Sequence, residues 1–169
     1  MNKIVFSLGI IFLLTSCKKE EEVKELKKTE EIRMDKQRIT LVFPDTVYIN
    51  KSYNGRIDYE NDLDTITTSF NDVKKYRFVD YYFLITKKTN YSVEYLKKIV
   101  KDTAYADNNR IIPLYNIKFN KLGLNYFDGI IMDEVNISHG TKGKNGEPMD
   151  RIITNEIRLT RGVYVIEKP

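Results

Sequence analysis

The sequence predicts an all-β fold, an antiparallel sandwich of about seven or eight short strands with one short helix, over residues 39–169. Three observations predict it. From Ile39 onward, apolar and polar residues alternate in short runs, the period of a strand with one buried face. Asn, Asp, Gly and Pro punctuate those runs and stop them. Tyrosine is abundant, with 12 residues against no tryptophan, and it suits half-buried strands where the ring packs and the hydroxyl stays wet.

Taken in order, the chain opens with Lys3 and a mostly apolar run from Ile4 to Leu14. That run is too short to span a bilayer, which needs ~20 residues. Leu14-Thr15-Ser16-Cys17 follows it directly. The arrangement resembles a bacterial lipoprotein signal peptide, residues 1–16, ending in a lipobox. The resemblance implies that Cys17 is lipidated and becomes the first residue of the mature chain. Several acyl chains, at about 0.8 kcal/mol per buried methylene, would then hold the protein in a membrane. Cys17 is the only cysteine, so once acylated it leaves no thiol for a disulfide, a metal or catalysis. Residues 17–38 are a mixed-charge tract with too few apolar side chains for a core, read as a solvated linker. Its start, Lys18-Lys19-Glu20-Glu21-Glu22, resembles the lysine-plus-acidic export signal of Bacteroidota lipoproteins. That implies an anchor in the outer membrane and display at the cell surface.

The strands begin with Ile39–Phe43, stopped by Pro44-Asp45, and continue with Thr46–Ile49. Asn54-Gly55 is a hairpin or bulge signal, because both residues tolerate positive φ. Arg56–Tyr59 alternates again, Asn61–Asp64 reads as a turn, and Thr65–Ser69 is β-prone. Tyr76–Thr86 is a long aromatic run, nearly continuous in apolar residues, which predicts a central strand covered on both faces over part of its length. Ser92 caps a helix to Val100, with Val93, Leu96 and Val100 at helical spacing. Asp102–Arg110 reads as a polar connection, Ile111–Phe119 as a strand, and Asn120–Gly123 as a turn. Leu124–Ile137 is a strand in which Gly129 marks a bulge or a close-packing point. Ser138–Asp150 has no apolar residue before Met149 and reads as an exposed mobile loop; Arg151–Glu167 is the last strand. The pattern resembles the immunoglobulin-like modules of Bacteroidota envelope lipoproteins, although the paired cysteines and the tryptophan of antibody-type domains are missing.

The net charge of +4 is modest, and no basic cluster interleaves with aromatics, which argues against a nucleic-acid partner. No catalytic residue, cofactor or metal site is assigned. His139 is the only histidine and falls in the expected loop, where nothing would position its ring. Asp58, Glu60, Asp62 and Asp64 alternate like a calcium loop, but the glycine and the closing glutamate are missing, so they read as a solvated face. Gly140–Gly146, with Lys142 and Lys144, lacks the spacing of a phosphate loop. Asp45-Thr46-Val47, Asp64-Thr65-Ile66 and Asp102-Thr103-Ala104 resemble an O-glycosylation acceptor of Bacteroidota, with Thr65 and Thr103 the better placed.

The expected function is a lipid-anchored, non-catalytic binding or structural module of the cell envelope. Tyr81, Tyr82 and Tyr91 would contact an envelope protein or a glycan, or else pack in the core. The alternative is a carboxylate-dependent hydrolase built on Asp128, Asp133, Glu134 or the Asp58–Asp64 group. A small-molecule carrier would need an apolar cavity inside the sandwich.

Overall fold

Alternation with a period of two builds eight strands, and a capped run at helical spacing builds one helix, among the residues described by the computed structural model, 38–169. The expected signal peptide, Cys17 and nearly all of the charged linker lie outside the described residues. In order come β1 (Arg38–Val42), β2 (Thr46–Tyr48), β3 (Ser52–Glu60), a 3-10 turn (Asp62–Thr65), β4 (Lys75–Thr86) and α1 (Val93–Ile99). Then follow β5 (Asp102–Tyr105), β6 (Ile111–Lys118), β7 (Gly123–Lys142) and β8 (Pro148–Ile166). The fold is all-β, as the sequence predicts.

The strands form two sheets, β1-β3-β6 and β2-β8-β7-β4-β5. Every pairing is antiparallel except β2 with β8, which is parallel. The five-stranded sheet curls into a half-barrel. Its inner face and the three-stranded sheet supply the core: Leu41, Ile57, Ile112 and Leu114 from one side, Val79, Tyr81, Phe83, Ile131 and Val163 from the other. At its centre Phe127 meets Phe43 and Phe119 edge-on, with Phe43–Phe127 centroids 5.0 Å apart and Phe119–Phe127 5.6 Å. Each such buried side chain stabilises by about 1.5–3 kcal/mol relative to exposure.

Two glycines are there for space. A Cβ on Gly129 would stand 2.6 Å from Phe83 Cβ and 2.7 Å from Tyr81 Cε2, so the close-packing reading of this position holds. Gly55 lets β3 pass Phe43 and the Val42 carbonyl, and the pairing of β3 with β6 shifts between Tyr53 and Gly55. The Asn54-Gly55 signal therefore makes a bulge.

Three expectations are corrected. Thr65–Ser69 forms no strand, because the Asn61 side chain accepts from Leu63 N–H and starts the 3-10 turn. The bend places the Thr67 carbonyl where Arg77 donates to it at 2.7 Å. Asp102–Tyr105 is an edge strand paired with Asp80–Phe83, too short for its period to show in sequence. Ser138–Asp150 is mostly strand: β7 and β8 stay paired beyond a bulge between Ile137 and Thr141. His139 sits in that bulge at φ 54°, its N–H donating to Asp150 Oδ1 at 3.1 Å. A ladder of backbone hydrogen bonds needs no apolar side chains, so composition alone misjudged this arm.

Candidate functional site

Adjacent residues of a strand point to opposite faces, and β4 divides its aromatic run accordingly. Arg77, Val79, Tyr81 and Phe83 face inward and are buried. Tyr76, Phe78, Asp80 and Tyr82 face outward. The register extends the outer rows across the sheet: Tyr76, Asn136 and Ile152; Phe78, Glu134 and Thr154; Tyr105, Asp80, Met132 and Glu156; Thr103, Tyr82, Ile130 and Arg158.

Helix α1 covers part of this outer face. Ser92 Oγ accepts from Tyr95 N–H to start the helix, Leu96 is fully buried, and Lys97 bridges to Glu156 at 2.6 Å. Below it, Arg158 grips Asp128 through two nitrogens at 3.0 and 2.8 Å and donates to the carbonyls of Thr89 and Tyr91. That arginine fastens the segment leading into the helix onto the sheet. What α1 leaves open is aromatic: Tyr105 is 68 % exposed, Phe78 56 % and Tyr76 43 %. Tyr82 is half-buried and donates to Asp80 Oδ2 at 3.1 Å. Burial raises the Asp80 carboxyl above its ordinary range, with the Tyr82 hydrogen bond working against it. The Asn136 Oδ1 atom of the same face is covered and accepts no hydrogen bond among the described residues.

The expected site residues separate. Tyr81 does not belong to any surface: it is 0 % exposed, stacks on Phe83 at 5.0 Å and donates to the Leu159 carbonyl at 3.1 Å. Tyr81 is core, and its assignment to a binding face is corrected. Tyr82 lies on the open face. Tyr91 is half-buried before α1 with its ring 5.6 Å from that of Tyr95, on the same side of the sheet. Thr65 is exposed at the end of the 3-10 turn, where its hydroxyl donates to the Asp62 carbonyl at 2.7 Å. Thr103 is exposed on edge strand β5 rather than at a turn.

The acidic candidates do not converge. Asp133 is fully buried and takes Arg77 Nε at 2.9 Å, Arg77 Nη2 at 2.7 Å and the Tyr59 hydroxyl at 2.8 Å. Arg77 also donates to Asp64 Oδ1 at 2.6 Å, and Arg110 holds the other oxygen of Asp64. Asn61 and Asn155 complete this internal network. Asp58 pairs with Arg56 at 2.7 Å, while Glu60 stands 3.9 Å from Arg38 and Arg110. Burial and then the Asp133 carboxylate push the Tyr59 hydroxyl far above the usual tyrosine range. These groups tie strands together. An open groove of about 530 Å³ separates the edges of β5 and β6, floored by Phe83, Ala104 and Leu114.

Sequence reasoning missed Tyr76, Phe78 and Tyr105. Counting parity along β4 identifies the first two, because Tyr81 and Tyr82 cannot share a face; Tyr105 follows only once β5 is recognised. No family model matches the chain, and no curated protein or solved structure matches it.

Proposed function

We propose that the protein is a lipid-anchored module of the cell envelope that binds an envelope protein or glycan through the outer face of its five-stranded sheet. One observation carries this reading: three large aromatic side chains stand exposed together on one regular surface beside Tyr82. Tyrosine and phenylalanine on a rigid sheet give much contact area for little ordering cost. The hydrolase alternative has less support, since Asp128 and Asp133 are each engaged by an internal guanidinium.

The immunoglobulin-like reading belongs to the same proposal. Strands β1, β3 and β6 correspond in order to A, B and E of that sandwich, and β4, β7 and β8 to C, F and G. Strand β5 sits beside β4, where a C′ strand would be. The anchor rests on the Leu14-Thr15-Ser16-Cys17 motif, with outer-membrane location and surface display resting on the charged residues after it. Exposure of Thr65 and Thr103 supports them as glycan acceptors.

Two measurements test the proposal. Cys17→Ser is expected to abolish labelling by palmitate and to move the chain from the membrane to the soluble fraction; unchanged fractionation refutes the anchor. Full-length protein carrying Phe78→Ser and Tyr105→Ser is expected to lose what the parent protein retains from envelope extracts, protein or polysaccharide. Equal retention by both refutes the face.

A further inference from the structure

We infer that the outer face of the five-stranded sheet takes the cationic side chains of an extended polypeptide, with lysine or arginine at alternate positions. The inference rests on the binding reading above and adds the charge and spacing of the ligand.

Charge comes first. Five charged residues occupy the four outer rows traced from Tyr76 to Arg158 and the Asp128 position beyond them. Two of them are neutralised within the protein: Glu156 by Lys97 and Asp128 by Arg158, the latter itself one of the five. Asp80 and Glu134 remain, and neither has a cation within salt-bridge distance among the described residues. The open part of the face is therefore aromatic and anionic, on a chain whose net charge is +4. General electrostatic attraction would draw anions to such a chain. This patch runs against it.

Geometry adds a repeat. Asp80 is the direct cross-strand partner of exposed Tyr105, and Glu134 is the direct partner of exposed Phe78. Directly opposed residues carry Cβ atoms about 4.5–5.5 Å apart. Each carboxylate therefore stands beside an aromatic ring, and an ammonium or guanidinium can meet both at once, the ring through its electron-rich face. A neutral sugar would fit the rings but leave the carboxylates facing only hydroxyls. Asp80 and Phe78 are two residues apart on β4 and their partners lie on opposite sides of it, so the two ring–carboxylate pairs are offset by two strand rises (roughly 6.6 Å) along the sheet and one strand spacing (roughly 4.8 Å) across it, roughly 8 Å in all. Side chains on one side of an extended peptide recur at roughly 6.6 Å, and the long flexible stems of lysine and arginine span the remaining difference when the peptide crosses β4 obliquely. A segment alternating a cation with any small residue matches both pairs.

The test uses the full chain in detergent micelles and two isomeric peptides of equal charge, Thr-Lys-Thr-Lys-Thr-Thr and Thr-Lys-Lys-Thr-Thr-Thr, the second of which puts its lysines on opposite sides when extended. The alternating peptide is expected to bind about fivefold more tightly than the blocked one, as a second cation–ring contact of ~1 kcal/mol would give. That preference is expected to disappear in the Asp80→Asn, Glu134→Gln double variant and to weaken in Phe78→Ser. Equal binding of the two isomers overturns the inference, as does an unchanged preference in the double variant. Binding of neutral cellohexaose that Phe78→Ser abolishes, with neither peptide bound, overturns the cationic ligand but leaves the binding face standing. If Phe78→Ser and Tyr105→Ser also leave retention from envelope extracts unchanged, both readings fail.

Discussion

Tyr81 and Tyr82 are neighbours in β4 with the same ring and hydroxyl, and the sheet gives them opposite lives. Tyr81 is sealed in the core, its hydroxyl spent on the Leu159 carbonyl. Tyr82 looks outward and turns its hydroxyl to a carboxylate on an open face. The inner row behind Tyr81 includes Arg77, whose charge is consumed by Asp133, Asp64 and a carbonyl. The outer row carries Asp80, which has a hydroxyl for company and no counter-charge among the described residues. The lesson is that polarity does not mark the surface in this protein. A charge whose hydrogen bonds are all satisfied inside is structure; one left short of a partner outside is available for binding.

The most forceful way to break the inner side is Arg77→Ala. It strands the Asp133 carboxylate in the core with only the Tyr59 hydroxyl left. Losing one partner of a buried pair costs about 3–5 kcal/mol, a large share of the roughly 5–15 kcal/mol available to a domain. Urea unfolding is expected to show a midpoint shift of that size or outright loss of folding. A shift below about 1 kcal/mol would mean that the network is as dispensable as surface pairs are.

Gly129→Ala attacks the spacing that separates the two rows. Its new methyl would drive into Tyr81, Phe83 and the Tyr82 backbone, so β4 must shift or the core must open. Overpacking of this kind costs about 1–3 kcal/mol, to be read from thermal or urea unfolding. Wild-type stability in this variant would show that β4 and β7 slide apart freely.

The long run from Tyr76 to Thr86 shows how far sequence reached. Its strand character, the cap at Ser92, the close-packing glycine and the final strand were legible because each is a local matter of period, hydrogen bonding or size. The exposed aromatic face was not. Assigning Tyr81 and Tyr82 to one surface ignored parity, and parity itself was obscured because both rows of β4 contain charge, Lys75 and Arg77 in one and Asp80 in the other. Which charge is buried depends on Asp133 and Asp64, 56 and 13 residues away in sequence. Strand β5 was missed because a four-residue edge shows too little pattern, and the β7–β8 arm because backbone pairing leaves no mark in composition.

Acid sharpens the contrast. Burial alone would raise the Asp64 carboxyl, but hydrogen bonds from Arg77 and Asn109 and the charges of Arg77 and Arg110 outweigh it, and the net shift is downward from 3.8. A carboxyl lowered by folding stabilises above its unfolded value and loses that contribution as pH falls through its folded one. Asp64→Asn is therefore expected to be less stable than the parent protein at pH 7, and the gap should close as the solution is taken well below pH 3.8. Parallel urea midpoints across pH measure it. A gap that widens in acid reverses the sign and removes Asp64 from the network.

Asp80→Asn should give the smallest change, with the opposite sign. Burial raises this carboxyl above 3.8 in the folded chain, so folding favours its protonated form and keeping it ionised at neutral pH costs stability. That cost grows as pH rises through the folded value and is absent in acid. The amide is neutral at every pH and can still accept from Tyr82. The variant is thus expected to be slightly more stable at pH 7, by less than about 1 kcal/mol as for other surface changes, and equal to the parent protein in acid. It should also bind the alternating lysine peptide less well. Gain in stability together with loss of binding distinguishes a side chain kept for a ligand from one kept for the fold, because a structural carboxylate such as Asp64 loses stability when neutralised. If Asp80→Asn proves less stable at pH 7, the outer row is held together as the inner one is, and the distinction between the two faces of β4 fails.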